Sequence, residues 1–211
     1  MLSFFKRKFS RLLSSSKVLK INYYFHKYFG EKDIGNIGFE FKDKPKRYDI
    51  IQEIIQKKNY KSYLEIGCFA NEVFTKIQIS KKVGVDPVSG GTIKKTSDDF
   101  FKINQDKFDC IFIDGLHEYR QVKRDINNSI KYLESGGVIL LHDCLPNNVY
   151  DQAMPRYQYN WNGNVWKAIV ECRTRPDLDV YTCYADNGIG VIFNRENSNT
   201  LVLDVKDFSK L

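Results

Sequence analysis

The chain has 211 residues, of which 42% are hydrophobic and 28% charged, enough for one α/β domain with a sizeable core. No run of about 18 uncharged apolar residues occurs, which argues against a membrane-spanning helix. The net charge of +7 sits entirely in one place: Lys6, Arg7, Lys8, Arg11, Lys17, Lys20 and Lys27 precede the first acid, Glu31, while the remainder holds 26 basic and 26 acidic residues. A body that sums to zero charge weakens the case for a nucleic-acid groove, so nucleic acid is not an expected partner. The five cysteines, Cys68, Cys110, Cys144, Cys172 and Cys183, are odd in number and form no CxxC pair. With no secretory leader, that pattern points to a reducing, cytoplasmic setting and away from structural zinc.

In chain order, Leu2, Phe5, Phe9, Leu12 and Leu13 recur at helical spacing among Lys6, Lys8 and Arg11, the pattern of a basic amphipathic helix. It is open to four readings: docking on its own domain or on a second subunit of a homo-oligomer, peripheral attachment to the inner membrane face, docking on a partner enzyme, or a cleaved targeting peptide. Residues 1–45 are therefore set apart as a basic extension and linker, with Gly35, Gly38 and Pro45 punctuating the linker, and residues 46–211 as the main domain. Ile50, Ile51, Ile54 and Ile55 then predict a helix with one apolar stripe.

Alternation follows. SYLEIG reads as a strand, NEVFTKIQIS as a helix, KVGVD as a strand ending at Asp86, and TSDDFFKI as a short helix capped by Thr96 or Ser97. FDCIFID is a buried strand ending at Asp114, followed by a helix with Val122, Ile126, Ile130 and Leu133 inward; GGVILLHD is another buried strand. Near-continuous apolar strands between helices predict a mostly parallel sheet covered on both faces. A helix at Val165 to Arg173 precedes two runs, LDVYTCYA and GIGVIFN, whose short connection predicts a closing antiparallel hairpin.

Ligands of such sheets lie beyond the carboxyl ends of the strands. Those ends carry Glu65, Asp86, Asp114 and Asp143, an acidic rim. Gly67 allows a tight turn, and Asp86, 19 residues on, is placed to accept ribose hydroxyls. A dinucleotide would need further glycines to cradle its pyrophosphate, but Phe69 and Glu72 hold those positions. NAD is thus a poorer candidate than the cationic, phosphate-free S-adenosylmethionine.

YLEIGC, VGVDP, FDCIFIDGLHEYRQVKRDI and GGVILLHDC together resemble the successive motifs of class I S-adenosylmethionine-dependent methyltransferases. The likeness runs from Tyr60 to Asn194 and is greatest to the small-molecule and sugar O-methyltransferases with a D-G-x-H segment. It implies a Rossmann-like α/β fold with a seven-stranded, mostly parallel sheet, helices on both faces and a C-terminal antiparallel hairpin. It further implies cofactor contacts from Glu65, Gly67, Cys68, Phe69, Asp86 and Asp114, with Ser97 and Asp98 near the adenine.

A hydroxyl acceptor needs its proton removed or its oxygen polarised. Asp114 and Asp143, at neighbouring strand ends, are placed to share Mg²⁺ or another divalent cation, with His142 as a further candidate ligand. His117 is the candidate general base. His26 is expected to be structural, and Trp161, Trp166 and Lys167 are weaker candidates for binding a sugar or glycan acceptor. Three rivals stand beside this expectation: a metal-independent methyltransferase, an NAD-dependent oxidoreductase and a non-catalytic adaptor.

Overall fold

Residues 16–30 and 35–203 are described by a computed structural model of the chain. The elements run α1 (Ser16–Phe29), α2 (Arg47–Lys58), β1 (Ser62–Ile66), α3 (Glu72–Lys76), β2 (Lys81–Val85), α4 (Ser97–Ile103), β3 (Phe108–Ile113), α5 (Tyr119–Lys131), β4 (Leu133–Leu141), α6 (Val165–Arg173), β5 (Asp179–Cys183) and β6 (Ile189–Phe193). The strands form one sheet in the order β2-β1-β3-β4-β6-β5. β2, β1, β3 and β4 pair in parallel, whereas β6 is antiparallel to both β4 and β5. The terminal hairpin is as expected.

The expected strand count is not. Six strands are present among the described residues instead of seven. After β2 the chain turns on Gly90 and Gly91, both with positive φ, and adds only the isolated parallel bridge Val85↔Ile93 before Thr96 caps α4. Too few residues separate that bridge from the cap to form a further edge strand. β2 is the edge, and its first three residues are at least partly exposed.

Alternating side chains build two cores on opposite faces of the sheet. Leu64, Ile66, Ile111, Ile113, Ile139 and Leu141 face α4, α5 and α6. Tyr63, Cys110, Phe112, Val138 and Leu140 face Ile51 and Ile55 of α2 and Val73 and Phe74 of α3. Leu64 is fully buried, so its truncation to alanine costs about 2–5 kcal/mol. α3 is shorter than its periodicity predicts, because Ile77 takes an extended conformation and turns inward.

The parallel strands bring their carboxyl ends to one edge. β5 runs in the same sense as β4, so the β5–β6 turn, residues 184–188, arrives at that edge too. α2 descends toward the start of β1, which leaves its first residue, Arg47, at the same edge. The linker is not free: Ile37 N donates to Asn147 O (2.8 Å), Phe39 N to Asn147 Oδ1 (2.6 Å) and Glu40 N to the Tyr184 hydroxyl (2.7 Å).

α1 rests on the loop between β4 and α6. Leu19 is buried, Asn22 Nδ2 donates to Arg156 O (2.7 Å), and His26 Nε2 lies 2.7 Å from Pro155 O. His26 is thus structural, as expected. The amphipathic pattern of Leu2 to Leu13 lies outside the described residues. No helix among those described is long and apolar enough to cross a membrane. All five cysteines are unpaired, and four are buried.

Candidate active site

The turn after β1 is built from Gly67, Phe69 and Asn71, all with positive φ. Gly67 is there for want of room: a Cβ would lie 2.2 Å from Asp114 O, so the turn presses against the end of β3. Phe69 and Asn71 take the left-handed conformation that a three-glycine loop reaches without strain. Phe69 is 78% exposed.

Asp86 organises this corner. Its Oδ2 accepts from Cys68 N (3.1 Å) and Phe69 N (2.9 Å), and its Oδ1 from Val88 N (2.7 Å) and Ser89 N (2.8 Å). These four amides occupy the roughly four acceptor positions of a carboxylate. A further donor to Asp86 would therefore have to displace one of these amides. Ser97 Oγ and Asp98 Oδ1 both accept from Gln121 Nε2 at 3.2 Å, on the far side of that corner. Thr96 is the α4 cap, accepting from Asp99 N. Glu65 is buried beneath the turn and bonded by the Tyr63 hydroxyl (2.6 Å); burial pushes its pKa up to about 7.

The second half of the rim is a tight ionic cluster. His117 Nε2 lies 3.4 Å from Asp114 Oδ1, and His117 Nδ1 lies 3.2 Å from both Asp143 Oδ2 and the Trp161 carbonyl. His142 Nδ1 lies 3.4 Å from Asp114 Oδ1 and 3.3 Å from Asp143 Oδ1, while its Nε2 faces Asp186 at 3.7 Å with no hydrogen-bond partner. Asp143 has φ +60°, a left-handed conformation that aspartate adopts more readily than most residues, and its buried carboxylate also accepts from Asn162 and Asn187 at Oδ1.

Burial alone would raise the Asp114 pKa and lower those of the two histidines. Mutual attraction outweighs it: Asp114 is held far below the usual carboxylate range, His117 is raised, and His142 is raised to about 10. The shifts are reciprocal: the carboxylates favour the charged imidazoles, and the imidazoles favour the charged Asp114.

Two charged residues join the cluster with no warning from the sequence. Asp186, in the β5–β6 turn, accepts from Arg47 N (2.9 Å) and Arg47 Nη1 (3.0 Å). Arg47 also reaches Asp114 Oδ2 (3.5 Å) and Glu72 (3.3 Å). Asp186 sat in a turn signature and Arg47 at a helix start, so neither had a local cue to chemistry. Trp161 stacks on the His117 ring, with centroids 5.5 Å apart and planes 16° apart. Its own Nε1 donates to Ala153 O (2.8 Å). Trp166 bonds Gln152 and stays apart from the cluster. Gly163 allows the contact: a Cβ there would lie 2.0 Å from His117 O.

Asp114, His117 and Asp143 each offer a ligand atom, all within 4.8 Å of one another. The two carboxylates suit a hard divalent cation such as Mg²⁺ or Mn²⁺, and the imidazole is the softer donor of the three.

Residues 58–144, from the end of α2 to just past β4, match the family model described as Methyltransferase domain. That stretch of the chain is similar to a methyltransferase domain. The matched stretch holds Glu65, Gly67, Asp86, Asp114, His117, His142 and Asp143.

Solved structures extend the fold likeness beyond that segment. An O-methyltransferase from Bacillus cereus in complex with SAH covers 84% of this chain and 99% of its own at TM-score 0.51 and 12% identity. The SAH-bound Podospora anserina methyltransferase PaMTH1 covers 88% and 97% at TM-score 0.52 and 15% identity. The O-methyltransferase TomG from Streptomyces achromogenes, in complex with SAM, covers 89% and 94% at TM-score 0.51 and 12% identity. No curated protein matches the chain. The Rossmann-like methyltransferase fold expected from the sequence is therefore the observed one, with its α/β layers and its reversed hairpin.

Proposed function

We propose that the chain is an S-adenosylmethionine-dependent O-methyltransferase whose acceptor is a hydroxyl of a sugar, a glycan or a related small molecule. The convergence of Asp114, His117 and Asp143 at the carboxyl edge of a methyltransferase domain carries this reading. Structural relatives bound to SAM or SAH support the choice of cofactor. So does the acidic rim, which suits a sulfonium and an ammonium group and disfavours a pyrophosphate. Gly67, Cys68 and Phe69 would approach the cofactor with backbone, and Glu65, Asp86, Ser97, Asp98 and Asp114 with side chains. The Asp86 carboxylate would be available to it where the cofactor displaces one of the four amides that bond it.

S-adenosylmethionine supplies an electrophilic methyl group and departs as a neutral thioether. The chain's task is to prepare the acceptor oxygen. His117 Nδ1 faces the Trp161 carbonyl and Asp143, so Nε2, 3.4 Å from Asp114 Oδ1, is the nitrogen that would take the hydroxyl proton. The Trp161 ring fixes the imidazole plane. A positioned base of this kind contributes roughly 10²- to 10⁴-fold in rate. A divalent cation held by Asp114 and Asp143 would offset the field that raises the His117 pKa and would polarise the hydroxyl. His142, beside the same two carboxylates, would be a further donor to that cation once deprotonated.

The mutual distances favour a second arrangement in which His117 Nε2 is itself the third metal donor. Calorimetry with SAH and with Mn²⁺, on wild type, His117→Ala and His142→Ala, separates the two. If His117 is the base, His117→Ala binds SAH and Mn²⁺ normally and turns over at least 100-fold more slowly with labelled cofactor on a glycan panel. If it is a donor, Mn²⁺ affinity falls with turnover. Unchanged turnover in EDTA removes the metal from the scheme, and failure of the wild type to bind SAH removes the whole reading.

A further inference from the structure

α1 presents the wrong face to water. At 100° per residue, Leu19, Asn22 and His26 share the arc that rests on residues 155–157. The opposite arc should be polar in a helix that merely packs on its domain. It carries instead Ile21 (66% exposed), Tyr24, Phe25 and Tyr28 (69% exposed), with Phe29 (79% exposed) at its margin. Lys17 lies within that arc and Lys20 and Lys27 along one side; Ser16–Phe29 contains no acid.

Single exposed apolar residues need no explanation, but a contiguous aromatic face does. Three kinds of surface could cover it, and charge discriminates among them. A second copy of the chain would bring its own +7 segment, residues 1–30, against this one, and like charges oppose that pairing. A nucleic acid would answer the lysines but offers no apolar layer to the rings. An anionic lipid surface offers both: phosphates for the lysines and tyrosine hydroxyls, and an acyl boundary for Ile21 and Phe25.

We infer that the outer face of α1 docks the protein peripherally on an anionic membrane surface, with the helix lying in the headgroup layer. The docked helix sits beside the candidate active site. It is bonded to Pro155 and Arg156, and the same loop runs on to Trp161 against His117. An acceptor would then be met at the lipid surface. The inference does not depend on the cofactor or on the metal.

The test is flotation of the full-length protein with vesicles of phosphatidylcholine alone, or with one quarter phosphatidylglycerol, at 100 mM salt. Wild type is expected to bind the anionic vesicles at least tenfold better than the neutral ones. Tyr24→Ser/Phe25→Ser/Tyr28→Ser and Lys17→Glu/Lys20→Glu should each lower that binding tenfold or more, with thermal stability and SAH binding unchanged. All the substituted side chains are exposed, so the fold should be kept. Equal binding by the aromatic variant and wild type, or no anionic preference in wild type, overturns the inference. So does a wild-type dimer in sedimentation that the same substitutions convert to monomer, since a second copy would then be the occupant.

Discussion

At the residue scale, space and charge make separable contributions to the site. Gly163 has φ +64° and no room for a Cβ beside the His117 carbonyl. Gly163→Ala should therefore push the Trp161 loop off His117, lowering turnover by tenfold or more while SAH affinity stays within twofold. A parallel loss of SAH affinity would show the effect to be general. Asp125, buried on α5 and bonded by Gln121 Nε2 (3.0 Å), has its pKa pushed up to about 6 by burial. Its charged form is disfavoured in the fold. The penalty is absent below pH ~4, where the group is protonated whether the chain is folded or not, and it is complete once pH passes 6. Two pKa units correspond to at most about 3 kcal/mol. Asp125→Asn should thus flatten the stability profile between pH 4 and 6 and raise the melting temperature at pH 7.5. An unchanged slope in denaturant titrations across that window would show that burial is not straining this carboxylate.

At the scale of elements, the rim is held by two segments far apart in sequence, the start of α2 and the β5–β6 turn. Arg47 bonds Asp186 through both its backbone amide and its guanidinium, and Lys46 Nζ lies 3.5 Å from the same carboxylate. Charge-assisted bonds of this kind are worth about 1.5–3 kcal/mol when partly shielded from water. A double-mutant cycle on Arg47→Ala and Asp186→Ala should give a coupling of that order by chemical denaturation. Coupling below about 0.5 kcal/mol would reduce the contact to an ordinary surface pair. Because Asp114 also faces Arg47, the same variants should change Mn²⁺ affinity, and loss of the guanidinium should strengthen it.

For the whole molecule, α1 is an accessory to a complete core. Among the described residues of 16–30, Leu19 alone is buried, and no residue of α1 belongs to either core cluster. A chain starting at residue 31 should therefore unfold cooperatively, with a melting temperature within about 5 °C of the full-length value. Calorimetry reads this directly, and a broad or absent transition would make the extension part of the fold. If the membrane inference holds, the shortened chain keeps SAH binding and loses vesicle binding.

The sequence by itself determined whatever rests on local pattern. Continuous apolar runs became β1, β3 and β4, the 165–173 helix has its expected bounds, Thr96 caps α4, and the acids at strand ends reached one edge because parallel strands must share one. The strand-end and D-G-x-H residues Asp114, His117, His142 and Asp143 were legible for the same reason. What the tertiary structure decided depends on proximity between distant segments. The parallel sense of β5 and β4 carries Asp186 to the rim, and the descent of α2 carries Arg47 there. The Trp161 loop closes over His117 because Gly163 makes room, and the outer face of α1 is unlike its inner one only once the domain beneath it is in place. No periodicity encodes such meetings, since each depends on where the sheet sends a chain that is dozens of residues away in sequence.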